Sequence, residues 1–194
     1  MLPSQIPPKT IFLVDCSQLS TQERNLLEQF CEKCVDGILF DSDVHNWSPF
    51  NSQFKTLIND KSNLSIVIED TDGNIFGYYV SSKINGFPYL EKPRKYRKDS
   101  GKDTFHFILK TTHPSFSPMK LEVTNSWEGK HQIFANGRKM LASFGHIFLM
   151  KKGSESECYW VYSNKAFNHH GNNVKGIAPK IFFSMKRLVV YQMK

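Results

Sequence analysis

At Leu64 the hydrophobic period of this chain shifts to two, and that shift constrains its fold more than any other feature. Leu64, Ile66 and Ile68 alternate with Ser65, Val67 and Glu69. Such alternation sends successive side chains to opposite faces of a strand. Asp70-Thr71-Asp72-Gly73-Asn74 follows as a turn, and Ile75–Ser81 reads as the return strand. Two such runs around a Gly/Asn turn predict an antiparallel hairpin. Further strands are expected at Thr104–Lys110, Lys120–Val123, His131–Ala135, Lys139–Ala142, His146–Met150, Cys158–Tyr162 and Leu188–Gln192, with Asn136-Gly137 as a second hairpin turn. Aromatic residues make up 13% of the chain, which suits a β-rich core. The expected fold is mainly β with short helices (α+β): a two-sheet antiparallel β-sandwich flanked by helices. There is no βαβ alternation, which argues against a doubly wound nucleotide-binding sheet.

Before Leu64 the pattern is helical. Residues 1–19 hold Pro3, Pro7 and Pro8 and read as an extended segment, in which Ile11–Val14 could add one strand. Ser20-Thr21-Gln22-Glu23 fits a capping box, and Leu26, Leu27, Phe30, Cys31 and Cys34 form one apolar stripe. A helix over 20–35 is therefore expected, with Gly37 as its stop and Ile38-Leu39-Phe40 as a short strand. A second helix is expected from Ser48-Pro49, burying Phe50, Phe54, Leu57 and Ile58. Residues 36–194 then form the β-sandwich domain.

With 194 residues the chain can bury about 70% of its unfolded surface, so it needs no disulfide or metal to fold. No apolar run approaches the ~20 residues of a membrane span. Four cysteines without a secretion signal read as reduced thiols. These features suggest a soluble intracellular protein, cytoplasmic or nuclear.

The net charge of +7 is unevenly spread. Residues 1–85 hold 6 Lys/Arg and 11 Asp/Glu, a net of −5; residues 86–194 hold 19 and 7, a net of +12. This asymmetry fits either an anionic partner for the second half or attraction between the halves. The densest cationic stretch is Lys92, Arg94, Lys95, Arg97, Lys98 and Lys102, with Tyr89 and Tyr96 interleaved. Its cations could neutralise phosphates and its tyrosines could stack on bases, so Lys92, Arg94, Lys95, Tyr96, Arg97, Lys98 and Lys102 are the candidate contacts to nucleic acid or another anionic partner. The same composition also describes a solvated loop. Asn85–Asp103 and Asn164–Pro179 both read as long loops.

Other constellations lead to structural roles. Asp70-Thr71-Asp72-Gly73-Asn74 looks like part of a calcium loop, but its glycine falls at position 4 and position 12 is Ser81, so the closing carboxylate is missing. Cys31-x-x-Cys34 lacks a second pair for zinc and lies on the apolar stripe, where cysteine acts as a small hydrophobe. Redox or scavenging chemistry at Cys31, Cys34 or Cys158 would require an exposed thiol of low pKa. Glu69, Asp70 and Asp72 read as a solvated turn, and His106 and His146 as structural. No nucleophile elbow, phosphate loop or His-Glu-x-x-His is present. Neither a catalytic residue, a cofactor nor a metal is expected.

Several stretches resemble a known family. They are Gly37-Ile38-Leu39-Phe40-Asp41-Ser42 with Trp47-Ser48, Phe54 with Leu57, Leu64 to Tyr79 with its Phe76-Gly77-Tyr78-Tyr79 strand, Phe105-His106-Phe107-Ile108-Leu109, and Phe182 with Met185–Tyr191. Together they make residues 36–194 similar to the TLDc domain of eukaryotic oxidation-resistance proteins. The pattern departs from the family where Tyr78 replaces a glycine, where only Phe144-Gly145-His146 remains of a glycine-rich stretch, and where only Ala166-Phe167-Asn168 remains of a later segment. The resemblance implies a two-sheet sandwich and a non-enzymatic interaction module in the oxidative stress response, with vacuolar proton-pump subunits as partners. The alternative expectation is a nucleic-acid-binding, stress-responsive regulator that uses the basic loop on the same fold.

Overall fold

The computed structural model describes residues 19–84, 98–112, 114, 117–123, 129–134, 138–160 and 182–194. Along the chain run α1 (Thr21–Cys31), β1 (Val35–Asp41), α2 (Phe54–Ile58), β2 (Leu64–Asp70), β3 (Ile75–Val80), β4 (Lys98–Asp99), β5 (Phe105–Lys110), β6 (Met119–Glu122), β7 (Lys130–Ile133), β8 (Met140–Phe144), β9 (Ile147–Met150), a 3-10 turn at Glu155–Glu157, β10 (Cys158–Trp160), β11 (Phe182–Phe183) and β12 (Met185–Met193). Two six-stranded sheets result. The first has the order β1-β12-β2-β3-β5-β6 and the second β11-β10-β9-β8-β7-β4. The described strand pairs are antiparallel. The fold is thus the predicted mainly β sandwich with few short helices.

The β2–β3 hairpin forms where its period places it, with Leu64 opposite Val80 and Glu69 opposite Ile75. Asp70 organises the turn. Its Oδ1 accepts from the amides of Asp72 (3.0 Å) and Asn74 (2.9 Å), and its Oδ2 accepts from Asn74 Nδ2 (2.8 Å). Asn74 Oδ1 in turn accepts from the Thr112 amide at 2.8 Å, tying the turn to the end of β5. The turn forms where its glycine places it, but the Asp70 carboxylate is buried rather than solvated, because amides of the turn take the place of water.

Both faces of the first sheet are buried. Ile66, Ile68, Phe76, Tyr78, Leu188 and Val190 meet Phe144, Leu149 and Trp160 of the second sheet in the inner core. On the other face, Val67, Tyr79, Phe105, Phe107, Val189 and Tyr191 form an outer core with Leu27 and Cys31 of α1. The helix preceding the expected domain boundary therefore shares a core with the sheet.

Helix α1 starts as the sequence predicts: the Ser20 amide donates to Glu23 Oε2 (2.8 Å) and the Glu23 amide to Ser20 Oγ (3.3 Å). It ends earlier than Gly37, at Glu32 in the left-handed conformation. Glu28 Oε1 accepts from the Val35 amide at 2.9 Å and draws the chain into β1. Cys34 consequently lies beyond the helix and is exposed, off the stripe the sequence assigned it. The second helix also differs. It spans only Phe54–Ile58, and Phe50 stands 75% exposed rather than buried. Side chains hold the preceding backbone in a loop: Asn46 Oδ1 accepts from the Ser48 amide (2.9 Å), Gln53 Oε1 accepts from the Asn46 amide (2.8 Å), and the buried Lys151 ammonium donates to the Pro49 carbonyl (3.1 Å). Local side-chain bonds of this kind compete with a helix.

The charge asymmetry is partly absorbed within the fold. Arg187 of β12 donates to Asp41 (2.9 Å from Nη2 to Oδ2) and pairs with Asp43 (3.0 Å), Lys186 pairs with Glu69 (2.6 Å), and Lys194 pairs with Asp36. Each pair joins a cation of the basic half to an acid of the acidic half.

Candidate functional site

A groove of about 800 Å3 lies beside the end of α1. Five chain segments build it: the last turn of α1 with Glu32 and Lys33, Asn63 ahead of β2, the end of β3, residues 101–105, and β6 with Val123. Tyr79 and Phe105 line its floor, their rings stacked at 5.1 Å and 29°. The Tyr79 hydroxyl donates to Asn63 Oδ1 at 2.9 Å. Lys120 spans the groove side: its Nζ donates to the Phe30 carbonyl (3.1 Å) and stands 4.3 Å over the Phe105 ring.

One wall is held by Ser100. Its carbonyl accepts from the amides of Ser81 and Ser82, both at 2.9 Å, and from the Thr104 hydroxyl. Its own amide donates to the Gly129 carbonyl at 2.7 Å. Gly101 follows with φ +94°, and a Cβ there would collide with the Ser81 hydroxyl. Glycine alone fits this left-handed, close-packed position.

Of the candidate residues of the basic segment, Lys92, Arg94, Lys95, Tyr96 and Arg97 lie outside the described residues. Lys98 opens β4, where its backbone pairs with His131 at the edge of the second sheet. Lys102 lines the groove and is exposed, in company with Lys33 and Lys120. Carboxylates are interleaved with them: Glu32, Asp103 and Glu122 line the same groove. Its charge is therefore mixed.

Burial sets the chemistry of the thiols. It pushes Cys31 up to about 11, and a bond to Ser65 and the nearby ammoniums of Lys120 and Lys33 pull back only part of that rise. Burial likewise pushes Cys158 up to about 11. Both are held as neutral thiols at neutral pH, contrary to what a nucleophilic cysteine requires. A serine–histidine pair unseen in the sequence also appears: Ser100 Oγ lies 3.0 Å from His131 Nδ1. Ser100 is fully buried and His131 nearly so, so the pair joins β4 to β7 inside the fold. His106 is buried between the sheets, stacked on Trp160 at 5.4 Å and edge-on to Tyr78 at 4.6 Å. Among the described residues, no cluster of His, Cys, Asp or Glu is arranged to hold a metal ion. Nor is any described helix long and apolar enough to cross a membrane.

A second surface feature is the 42–53 loop. Trp47 anchors it in the inner core, Asp41 and Lys151 fasten its ends, and Val44 and Phe50 project from it, 74% and 75% exposed. Neither the groove nor this loop has a local signal in the sequence, because each depends on which distant segments the sheets bring together.

Compared with models of known protein families and with curated proteins, the chain matches none.

Proposed function

We propose that this protein is a non-enzymatic, TLDc-type interaction module acting in the oxidative stress response. One observation carries the reading. Four of the segments that resemble the family, far apart in sequence, supply five consecutive strands, β1, β12, β2, β3 and β5, of one sheet. A resemblance scattered by chance would have no reason to converge on one contiguous layer. The 42–53 loop continues directly from β1 within the same resemblance and offers the partner-facing surface. Its backbone is fixed by hydrogen bonds while Val44 and Phe50 point to solvent. Ordered loops on a rigid scaffold are where binding function concentrates, and exposed apolar side chains supply contact area.

The test is affinity purification of the full chain from native lysate, with and without nuclease. Recovery of vacuolar proton-pump subunits is expected, and the V44S/F50S double variant should lose it while its melting temperature is unchanged, since both side chains are solvent-facing. Recovery of nucleic acid alone, abolished by nuclease, would instead favour the regulator that uses Lys92 to Lys102.

A further inference from the structure

We propose that His45 is a proton-operated latch on the 42–53 loop: the neutral ring holds the start of the loop, and protonation releases it. The latch rests on the reading of that loop as the partner-facing surface and supplies its regulation.

The hydrogen bond that closes the latch has its direction fixed by the backbone. Asp41 ends β1, the outermost described strand of its sheet, and its amide donates to His45 Nδ1 at 3.0 Å. A peptide N–H can only donate, so Nδ1 offers its lone pair and the neutral ring carries its proton on Nε2. The Asp41 carbonyl lies 3.2 Å from the same nitrogen, but it already accepts from the amides of Val44 (3.1 Å) and His45 (2.8 Å). The ring thus closes a tight turn that sets where the exposed Val44 projects. Stacking on the fully buried Phe40, at 5.5 Å and 24°, orients it, and Phe40 in turn meets Phe54 of α2 edge-on at 4.9 Å.

A proton taken from solvent onto Nδ1 consumes the lone pair and sets one N–H against another. The ring must then turn away, and the Asp41 amide loses its partner. Water reaches the ring, because His45 is half-buried and lines a recess of about 410 Å3. Histidine is also the side chain whose charge ordinarily changes between pH 5 and 8.

The charged groups around the ring do not hold an imidazolium in place. Asp41 and Asp43 stand on its own turn, but the Asp41 carboxylate accepts from Arg187 of β12 and from the Asp43 amide, and Asp43 pairs with Arg187 at 3.0 Å. Lys152, following β9, lines the same recess, and Lys55 is the charged residue of α2, so both add positive charge to the surroundings. The far end of the loop is fastened differently. Lys151 donates to the Pro49 carbonyl, and acid only keeps an ammonium charged. Release is therefore confined to residues 41–46, ahead of the Trp47 anchor.

The experiment follows the full-length, 15N-labelled protein by NMR from pH 7.5 to pH 5.5. Long-range correlations within the imidazole should show Nδ1 of His45 without a proton at pH 7.5. As the ring titrates, hydrogen-exchange protection of the Asp41 and Val44 amides should fall about tenfold, the value of one hydrogen bond, while that of β2 stays constant. In H45N a side-chain amide oxygen stands in for Nδ1 and does not titrate, so protection should be equal at both pH values; in H45A the Asp41 amide should be unprotected at both. A proton on Nδ1 at pH 7.5, unchanged protection as the ring titrates, or the same loss in H45N overturns the proposal. These readouts need no partner, so their failure sinks the latch alone, whereas failure of V44S/F50S to alter partner recovery at pH 7.5 sinks the docking surface.

Discussion

Gly77 sits at the centre of β3, where a Cβ would collide with the Ile66 carbonyl and come within 2.7 Å of the Phe107 ring. The absence of a side chain is what lets Phe107 pack close against β3 in the outer core. Gly77→Ala must displace either backbone or ring, and overpacking of this kind costs about 1–3 kcal/mol. A denaturant titration should show the midpoint fall with the slope unchanged. The role of this glycine was invisible in the alternating pattern, which registers only that a residue faces one side. The Asp70 turn, by contrast, was legible as a turn, but not the burial of its carboxylate, which is 2% exposed and bonded to the turn's own amides rather than solvated. Cys31 was also readable as a hydrophobe from its place on the stripe, whereas Cys34 was not, because Glu28 ends the helix by a contact that no local rule encodes.

At the scale of elements, α1 is the clearest case of a structure set by its first four residues. Ser20→Ala removes one half of the capping box and should cost about 1 kcal/mol, whereas Ser20→Asp, also a good cap, should retain most of the stability. Because α1 roofs the outer core through Leu27 and Cys31, its loosening should appear in hydrogen exchange first at α1 and at the facing strand β5. The long strands were found with ends within a few residues, since five or more alternating positions outweigh local noise. The two-residue strands β4 and β11 were not, because two residues carry no period. The start of α2 was misplaced for a different reason: Ser48-Pro49 is a good helix opening, but Asn46, Gln53 and Lys151 hold the backbone elsewhere. The groove escaped the sequence altogether, since Lys33, Asn63, Tyr79, Asp103 and Lys120 become neighbours only after both termini of the first sheet are in place. Among the described residues of the basic segment, Lys102 falls on it.

For the molecule as a whole, the inner core contains a titratable ring. Burial pushes the His106 imidazole down from 6.5 to about 3, and His146 nearby acts in the same direction. The folded protein thus holds His106 neutral, while the unfolded chain takes a proton below 6.5. The unfolded state binds more protons across that window, so stability present above about pH 6.5 is lost as pH falls toward 3. Between pH 7 and pH 5 this group alone should remove about 2 kcal/mol of unfolding free energy. His106→Phe, which keeps a ring beside Trp160 and Tyr78, should lessen that loss, as read from urea unfolding at the two pH values. The ion pairs from β12 and Lys194 to Asp36, Asp41, Asp43 and Glu69 likewise belong to this scale, since they show part of the +12 and −5 halves spending their attraction on each other. What remains for a partner is local, as in the mixed-sign groove.

The position of β12 has a consequence for how the protein is born. Residues 185–193 lie between β1 and β2, so during synthesis Val35–Asp41 has no described strand to pair with until β12 has been translated. The earlier strands must wait as a nascent hairpin with an open, apolar flank, and closure is a single late event. Chaperone engagement on the ribosome should therefore concentrate on β1 and the β2 edge, and be released once β12 has emerged and can pair with both.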